Sequence, residues 1–261
     1  LTFGILHGAN DLKILSKKDL SSKTFIFLPL WIIYICIVSL GIFIFYFIPG
    51  IALLLFVIIS CYHFGEQHWE ARVRFKKLKP LFFTSYGILI FSLLFVFNIE
   101  NVNKVILQIT SIKIPHDIFI LSFGLSFSTF LGFLIFNKCL LQNLLIEFLL
   151  LIFLGLVFYN SSLLFGFGFY FVVWHSLPSL SSQIKFLYDK EVSKPYVKYF
   201  KEAFLYWVLA IIGLVGFYIL KLVPQEQYLS IFFPFLAAIT FPHVIVMGFM
   251  FYSTKSKSLE I

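Results

Sequence analysis

His7, His63, His175 and His243 lie in or beside long apolar runs, in the stretches HGANDLKI, YHFGEQHW, WHSLPSL and FPHVIVMG. The next basic residues downstream are Lys13, Arg72, Lys185 and Lys255, at separations of six, nine, ten and twelve residues. At the helical rise, all four imidazoles therefore lie about 9–18 Å from a basic residue, at one common depth. An unpaired polar ring in hydrocarbon is unfavourable, and scattered packing histidines have no reason to share a level. Neutral imidazole ligates iron, copper, nickel and zinc. A set of uncharged ligands holds a divalent cation while leaving a position open for substrate or oxygen. The pattern predicts a metal site built from His7, His63, His175 and His243.

Acidic neighbours fit as acceptors for the ring N–H that a ligating histidine keeps. Asp11 follows His7 by four residues and Glu66 follows His63 by three, so on helices each acid shares a face with its histidine. The competing readings are an N-cap or loop aspartate for Asp11 and an interfacial charge for Glu66. Nothing in the spacing pairs Glu147 with a particular histidine, and helix–helix hydrogen bonding is its expected job. His68 is five residues beyond His63, about 140° around a helix, which makes one shared ion hard to reach. His116, in KIPHDI, reads as a surface histidine of an outer loop. Tyr62, Phe64, Tyr170 and Trp174 flank the histidines and are candidate walls for a flat apolar ligand.

The elements that must position these groups are membrane helices. Hydrophobic residues make up 61% of the 261, charged residues only 12%, and the mean hydropathy is +0.99, which places the chain among integral membrane proteins. Apolar runs of membrane-spanning length fall near Phe25–Phe47, Ile51–His68, Leu81–Asn98, Asp117–Phe136, Leu141–Tyr159, Leu163–Tyr188, Phe200–Leu222 and Tyr228–Tyr252. LTFGILHG reads as the end of a further helix whose start precedes the sequence. Short polar turns separate the runs, so an all-α, polytopic bundle forming one domain over residues 1–261 is expected.

Alternate loops divide the basic residues unevenly. Lys104, Lys113 and Lys221 lie on one side. The other 17 of the 20 lie opposite: Lys13, Lys17, Lys18, Lys23, Arg72, Arg74, Lys76, Lys77, Lys79, Lys138, Lys185, Lys190, Lys194, Lys198, Lys201, Lys255 and Lys257. The rich side is the cytoplasmic one, in a cytoplasmic (inner) membrane. A basic cytoplasmic face against anionic lipid explains the net charge of +8 without nucleic acid. Cys36, Cys61 and Cys139 form no C-x-x-C pair, and Cys61, two residues from His63, faces elsewhere on a helix.

Together the four histidine motifs resemble those of the Brp/Blh family of bacterial and archaeal membrane β-carotene 15,15′-dioxygenases, over nearly the whole chain. HG-x-x-D, HFG-E and WHS are the most specific parts. The resemblance implies an Fe2+ enzyme that uses O2 to split β-carotene, taken from the lipid bilayer, into two all-trans-retinal molecules for a microbial rhodopsin. By position His7, His63 and His175 match family iron ligands. Some members carry a further histidine one turn after the WHS histidine, where this chain has Ser179. His243 is the candidate in its place, on its depth and on the kink that Pro242 allows. A three-histidine site with extra open positions is the alternative.

Two other functions lack their residues. A di-iron hydroxylase needs about eight histidines in clustered H-x-x-x-H boxes, and this chain has six and no such box. A retinal-binding pigment needs a mid-helix lysine for its Schiff base, whereas every basic residue falls in a loop or at a helix end. A transporter that moves protons or metal through intramembrane histidines stays open as the alternative.

Overall fold

The computed structural model describes residues 2–19, 30–73, 75, 77–142, 144–188, 192–219, 224 and 227–259. In chain order the helices are α1 (Thr2–Leu6), α2 (Asp11–Asp19), α3 (Leu30–Phe47), α4 (Pro49–Trp69), α5 (Lys79–Phe97), α6 (Ile99–Thr110), α7 (His116–Phe136), α8 (Lys138–Leu141), α9 (Leu144–Tyr159), α10 (Leu163–Phe169), α11 (Leu177–Leu187), α12 (Pro195–Ile219) and α13 (Tyr228–Leu259). A π-helical segment, Tyr170–Ser176, joins α10 to α11. There is no strand among the described residues.

Six stretches are long and apolar enough to cross a membrane: Pro49–Trp69, Lys79–Phe97, His116–Phe136, Leu163–Leu187, Pro195–Gly216 and Tyr228–Thr254. Trp31–Phe47 and Leu144–Tyr159 are shorter apolar helices. The protein is a polytopic helical membrane protein. Each of the eight expected runs has its helix, with soft ends. Lys23, residues 25–29 of the first run, Arg74, Lys76, Lys190, Lys221 and Leu222 lie outside the described residues, as do the side chains of Lys18, Lys138, Cys139, Lys255 and Lys257.

One helix was not expected. α6 falls in what reads as an outer loop, because IENVNKVILQIT is too short and too polar to span. Its Val102 and Val105 are buried while Glu100, Lys104 and Leu107 are exposed, so packing one face suffices to form it. His116 likewise starts α7 and pairs with Glu100 at 3.3 Å, half-exposed as a surface histidine should be.

The chain divides into two compact units. The first comprises Leu1–Phe47 and Phe171–Ile261. In it α13 packs along α3 and α2, and α12 along α1 and α11. Its core contains Leu6, Ile14, Ile184, Tyr199, Val246 and Met247. Lysines of α2 tie the helix ends together: Lys13 pairs with Glu202, which also accepts from the Tyr188 hydroxyl. Lys17 Nζ donates at 2.9 Å to the carbonyls of Phe186 and Leu187, the last groups of α11 that lack a helical partner.

The second unit is Ile48–Tyr170, built around α5, which packs on α4, α7, α9 and α10. A buried charge bridges three of its elements. Glu147, fully buried on α9, accepts from His68 Nε2 at 3.1 Å, from Arg72 Nη1 at 2.8 Å and from the Tyr86 hydroxyl at 3.4 Å. Glu147 therefore does bond between helices, and it also has a particular histidine, which spacing along the chain does not reveal. His68 lies flat on the Tyr86 ring, centroids 4.9 Å apart, and has this structural partner. Replacing Glu147 by alanine is expected to lower stability by about 2 kcal/mol, because two buried donors lose a charged acceptor while the half-exposed Arg72 remains hydrated. Thermal unfolding in detergent measures it.

Candidate metal centre

His7 sits in the turn between α1 and α2, just past the end of the short first helix. Its Nδ1 lies against the Gly4 carbonyl, which can only accept, so the proton is on Nδ1 and the lone pair on Nε2. That Nε2 is buried and has no hydrogen-bond partner among the described residues. Gly4 serves twice, since a Cβ there would stand 2.3 Å from the Phe171 ring.

His175 comes from the π-helical segment. Pro178 explains the wide turn: it has no N–H for the Trp174 carbonyl, and its ring would collide with that carbonyl in a tight α-helix. The Ser176 hydroxyl instead donates to the Phe171 carbonyl at 2.7 Å. His243 stands on α13 immediately after Pro242, and the helix continues through both Pro234 and Pro242.

These three residues converge within the first unit. The His7 ring centroid is 5.0 Å from that of His175 and 4.6 Å from that of His243, and each residue offers one nitrogen within 4.8 Å of the others. Nitrogens sharing one ion at bonds of about 2.1 Å stand at most about 4.2 Å apart, so small torsional changes bring all three to a common ion. All three residues are buried. Phe171 lies parallel to the His175 ring at 5.7 Å and edge-on to His7 at 5.7 Å, covering both with hydrocarbon. The set suits a divalent transition metal: neutral nitrogen donors, a single nearby carboxylate and a dry wall.

That carboxylate is Asp11, and its partner corrects the expected pairing with His7. His243 Nδ1 donates to Asp11 Oδ1 at 2.9 Å, with Oδ2 at 3.1 Å, which leaves the lone pair of His243 on Nε2. The reason is local. α2 starts only at Asp11, so residues 7–10 form a turn and the shared helical face that would join Asp11 to His7 does not exist.

His63 is fully buried on α4 in the second unit, with Tyr62, Phe64 and Glu66 on the same helix. Glu66 Oε1 accepts from the Tyr62 hydroxyl at 2.7 Å, while its Oε2 has no hydrogen-bond partner among the described residues. Phe64 packs against Phe91 and Tyr170, both with centroids 5.5 Å away. Trp174 is partly buried in the first unit.

Ser179, fully buried, accepts from Gln183 Nε2 at 3.2 Å. The Tyr199 hydroxyl lies 2.6 Å from Gln183 Oε1 and 3.0 Å from the His7 carbonyl, so Ser179 belongs to a chain of hydrogen bonds that fixes the His7 backbone. Gln183 and Tyr199 escaped the sequence reading. The signal for Gln183 was available, since positions 175, 179 and 183 recur every four residues on one face of a helix.

The family model for beta-carotene 15,15′-dioxygenase matches residues 1–251 of the 261. The chain belongs to this family. No curated protein and no solved structure matches it. The span matched to the beta-carotene 15,15′-dioxygenase family takes in both units and all four histidine motifs. Membership supports carotenoid cleavage, with β-carotene as the implied substrate of this membrane protein.

Proposed function

We propose that the protein is an iron-dependent enzyme that cleaves β-carotene with dioxygen at the 15,15′ double bond. The products are two molecules of all-trans-retinal, which supply a microbial rhodopsin. Family membership supports the reaction and the substrate. The metal half of the proposal rests on one observation: the buried nitrogens of His7, His175 and His243 within 4.8 Å of one another. His7, His175 and His243 would hold the ion. Ferrous iron supplies the redox chemistry that lets dioxygen react with an alkene, which zinc lacks.

The remaining work belongs to the chain. The Gly4 carbonyl and Asp11 each take one ring N–H, so that His7 and His243 present Nε2 as donors. Phe171 keeps water from the rings. Tyr62, Phe64, Tyr170 and Trp174 are proposed to touch the polyene and hold it so that one double bond of many is exposed to attack. The overall change balances without an external reductant: the carbon–carbon double bond breaks and each carbon receives one oxygen atom. The substrate enters from lipid, and the uneven basic loops support a cytoplasmic membrane location with the rich side inward.

Expression in bacteria that accumulate β-carotene tests the activity. Aerated, iron-replete cells are expected to lose colour and gain retinal. Unchanged β-carotene would oppose cleavage and favour transport through the histidines. Asp11→Ala is expected to weaken Fe2+ binding about 10–100-fold in equilibrium dialysis, because His243 then loses the acceptor that orients it. The resemblance also assigns His63 to iron, and the iron content of His63→Ala is the measurement that decides its role.

A further inference from the structure

Asp11 is 2% exposed, and a carboxylate so deeply buried needs donors for its lone pairs. His243 is one. The other is Tyr34, whose hydroxyl donates to Asp11 Oδ2 at 3.2 Å. Tyr34 stands on α3 and packs against the core that contains Val246 and Met247, so its ring is held while its hydroxyl reaches the acid.

A cavity of about 190 Å³ runs beside this pair, lined by Ile5, Gly8, Leu12 and Ile239 together with Asp11 and Tyr34 themselves. Its wall is almost wholly apolar, and Tyr206 carries its only other hydroxyl among the described residues. The space gives the Asp11 carboxylate room to turn away from His243. The hydrogen bond from Tyr34 opposes that turn.

We propose that Tyr34 is a positioning residue of the metal centre. Its hydroxyl pins the Asp11 carboxylate in the rotamer that accepts from His243 Nδ1, which fixes the nitrogen that His243 presents and the plane of its ring. The proposal rests on the reading of His7, His175 and His243 as the metal centre. It assigns Tyr34 no contact with substrate.

The test uses the full chain, purified in detergent, stripped of metal and titrated with Co2+, whose ligand-field absorption reports the geometry of its nitrogen donors. The parent is expected to bind one Co2+ per chain. Tyr34→Phe, which removes one oxygen and keeps the packed ring, is expected to bind about three- to tenfold more weakly, less than the loss of a direct partner of a ligand, and to shift the absorption bands. Tyr206→Phe, which removes the cavity's other hydroxyl, is expected to match the parent. On an Asp11→Ala background, which has no side-chain oxygen to position, Tyr34→Phe is expected to add nothing, because it acts through Asp11.

Parent affinity and an unshifted spectrum in Tyr34→Phe would overturn the inference alone. So would full additivity with Asp11→Ala. A parent chain that binds no Co2+ would overturn the metal-centre reading itself. Apo Tyr34→Phe is expected to unfold in the same cooperative transition as the parent, slightly lowered by the loss of one hydrogen bond, which separates positioning from a general loss of fold.

Discussion

Alanine at His7 is expected to leave the purified protein without stoichiometric iron and to reduce retinal formation more than 100-fold. His7 is the middle ring of the three, with centroids 5.0 Å from His175 and 4.6 Å from His243, and its buried Nε2 has no hydrogen-bond partner among the described residues. Changes to residues that merely orient a ligand lower metal affinity about 10–100-fold, so removing a ligand should exceed that range. The fold should survive. Tyr199 bonds the His7 backbone carbonyl, which alanine keeps, and the Gly4 carbonyl in α1 loses only one donor. His116→Ala is the matched control, since that histidine is half-exposed and pairs with Glu100 at the start of α7. Metal analysis and chromatography of the products measure both effects. Iron at the parent level in His7→Ala, with activity retained, would remove the three-histidine centre from consideration.

Alanine at Gly87 is expected to destabilise the second unit by about 3 kcal/mol, the upper end of the usual cost of overpacking. A Cβ at Gly87 would stand 1.9 Å from the Cys61 carbonyl oxygen, and one at Gly65 would stand 2.0 Å from the Phe83 carbonyl oxygen. Cys61 and Gly65 are one helical turn apart on α4, as are Phe83 and Gly87 on α5, so the two helices interlock carbonyl to glycine in both directions. The obstacle in each case is backbone, which cannot rotate aside as a side chain can. Between membrane helices no hydrophobic force drives association, so this close approach is a main source of contact, and widening it forfeits packing along α4 and α5. Gly124 and Gly132 on α7 have nothing within 4 Å of an added Cβ, and alanine there is expected to be neutral or slightly stabilising. Unfolding in detergent compares the variants. A Gly87→Ala protein that melts with its parent would contradict the observed interlock.

The membrane helices were legible because each apolar run is its own signal, long enough to be recognised without knowing its neighbours. The meeting of His7, His175 and His243 in the first unit was legible for a related reason: counting from the basic loops gives each a similar depth. Depth along a helix says nothing about rotation around it or about which helices touch. Asp11 was therefore assigned to the histidine four residues away and bonds instead to His243, 232 residues on. Glu147 and His68, 79 residues apart, were missed as a pair for the same reason. α6 hid behind its polarity, because only its packed face is apolar. The π-helical turn before Pro178 follows from a steric conflict that is readable at one residue, yet whether the helix breaks or widens there depends on what surrounds it.

The bond between Asp11 and His243 also sets an order of events during biosynthesis. Its two halves leave the ribosome 232 residues apart, and α13 must enter the membrane before His243 can reach its acceptor. Until then His7 and Asp11 wait in an incomplete pocket with no oriented third ring. If iron is held as proposed, it would thereby be kept off the nascent chain, and its capture would be the last step of maturation.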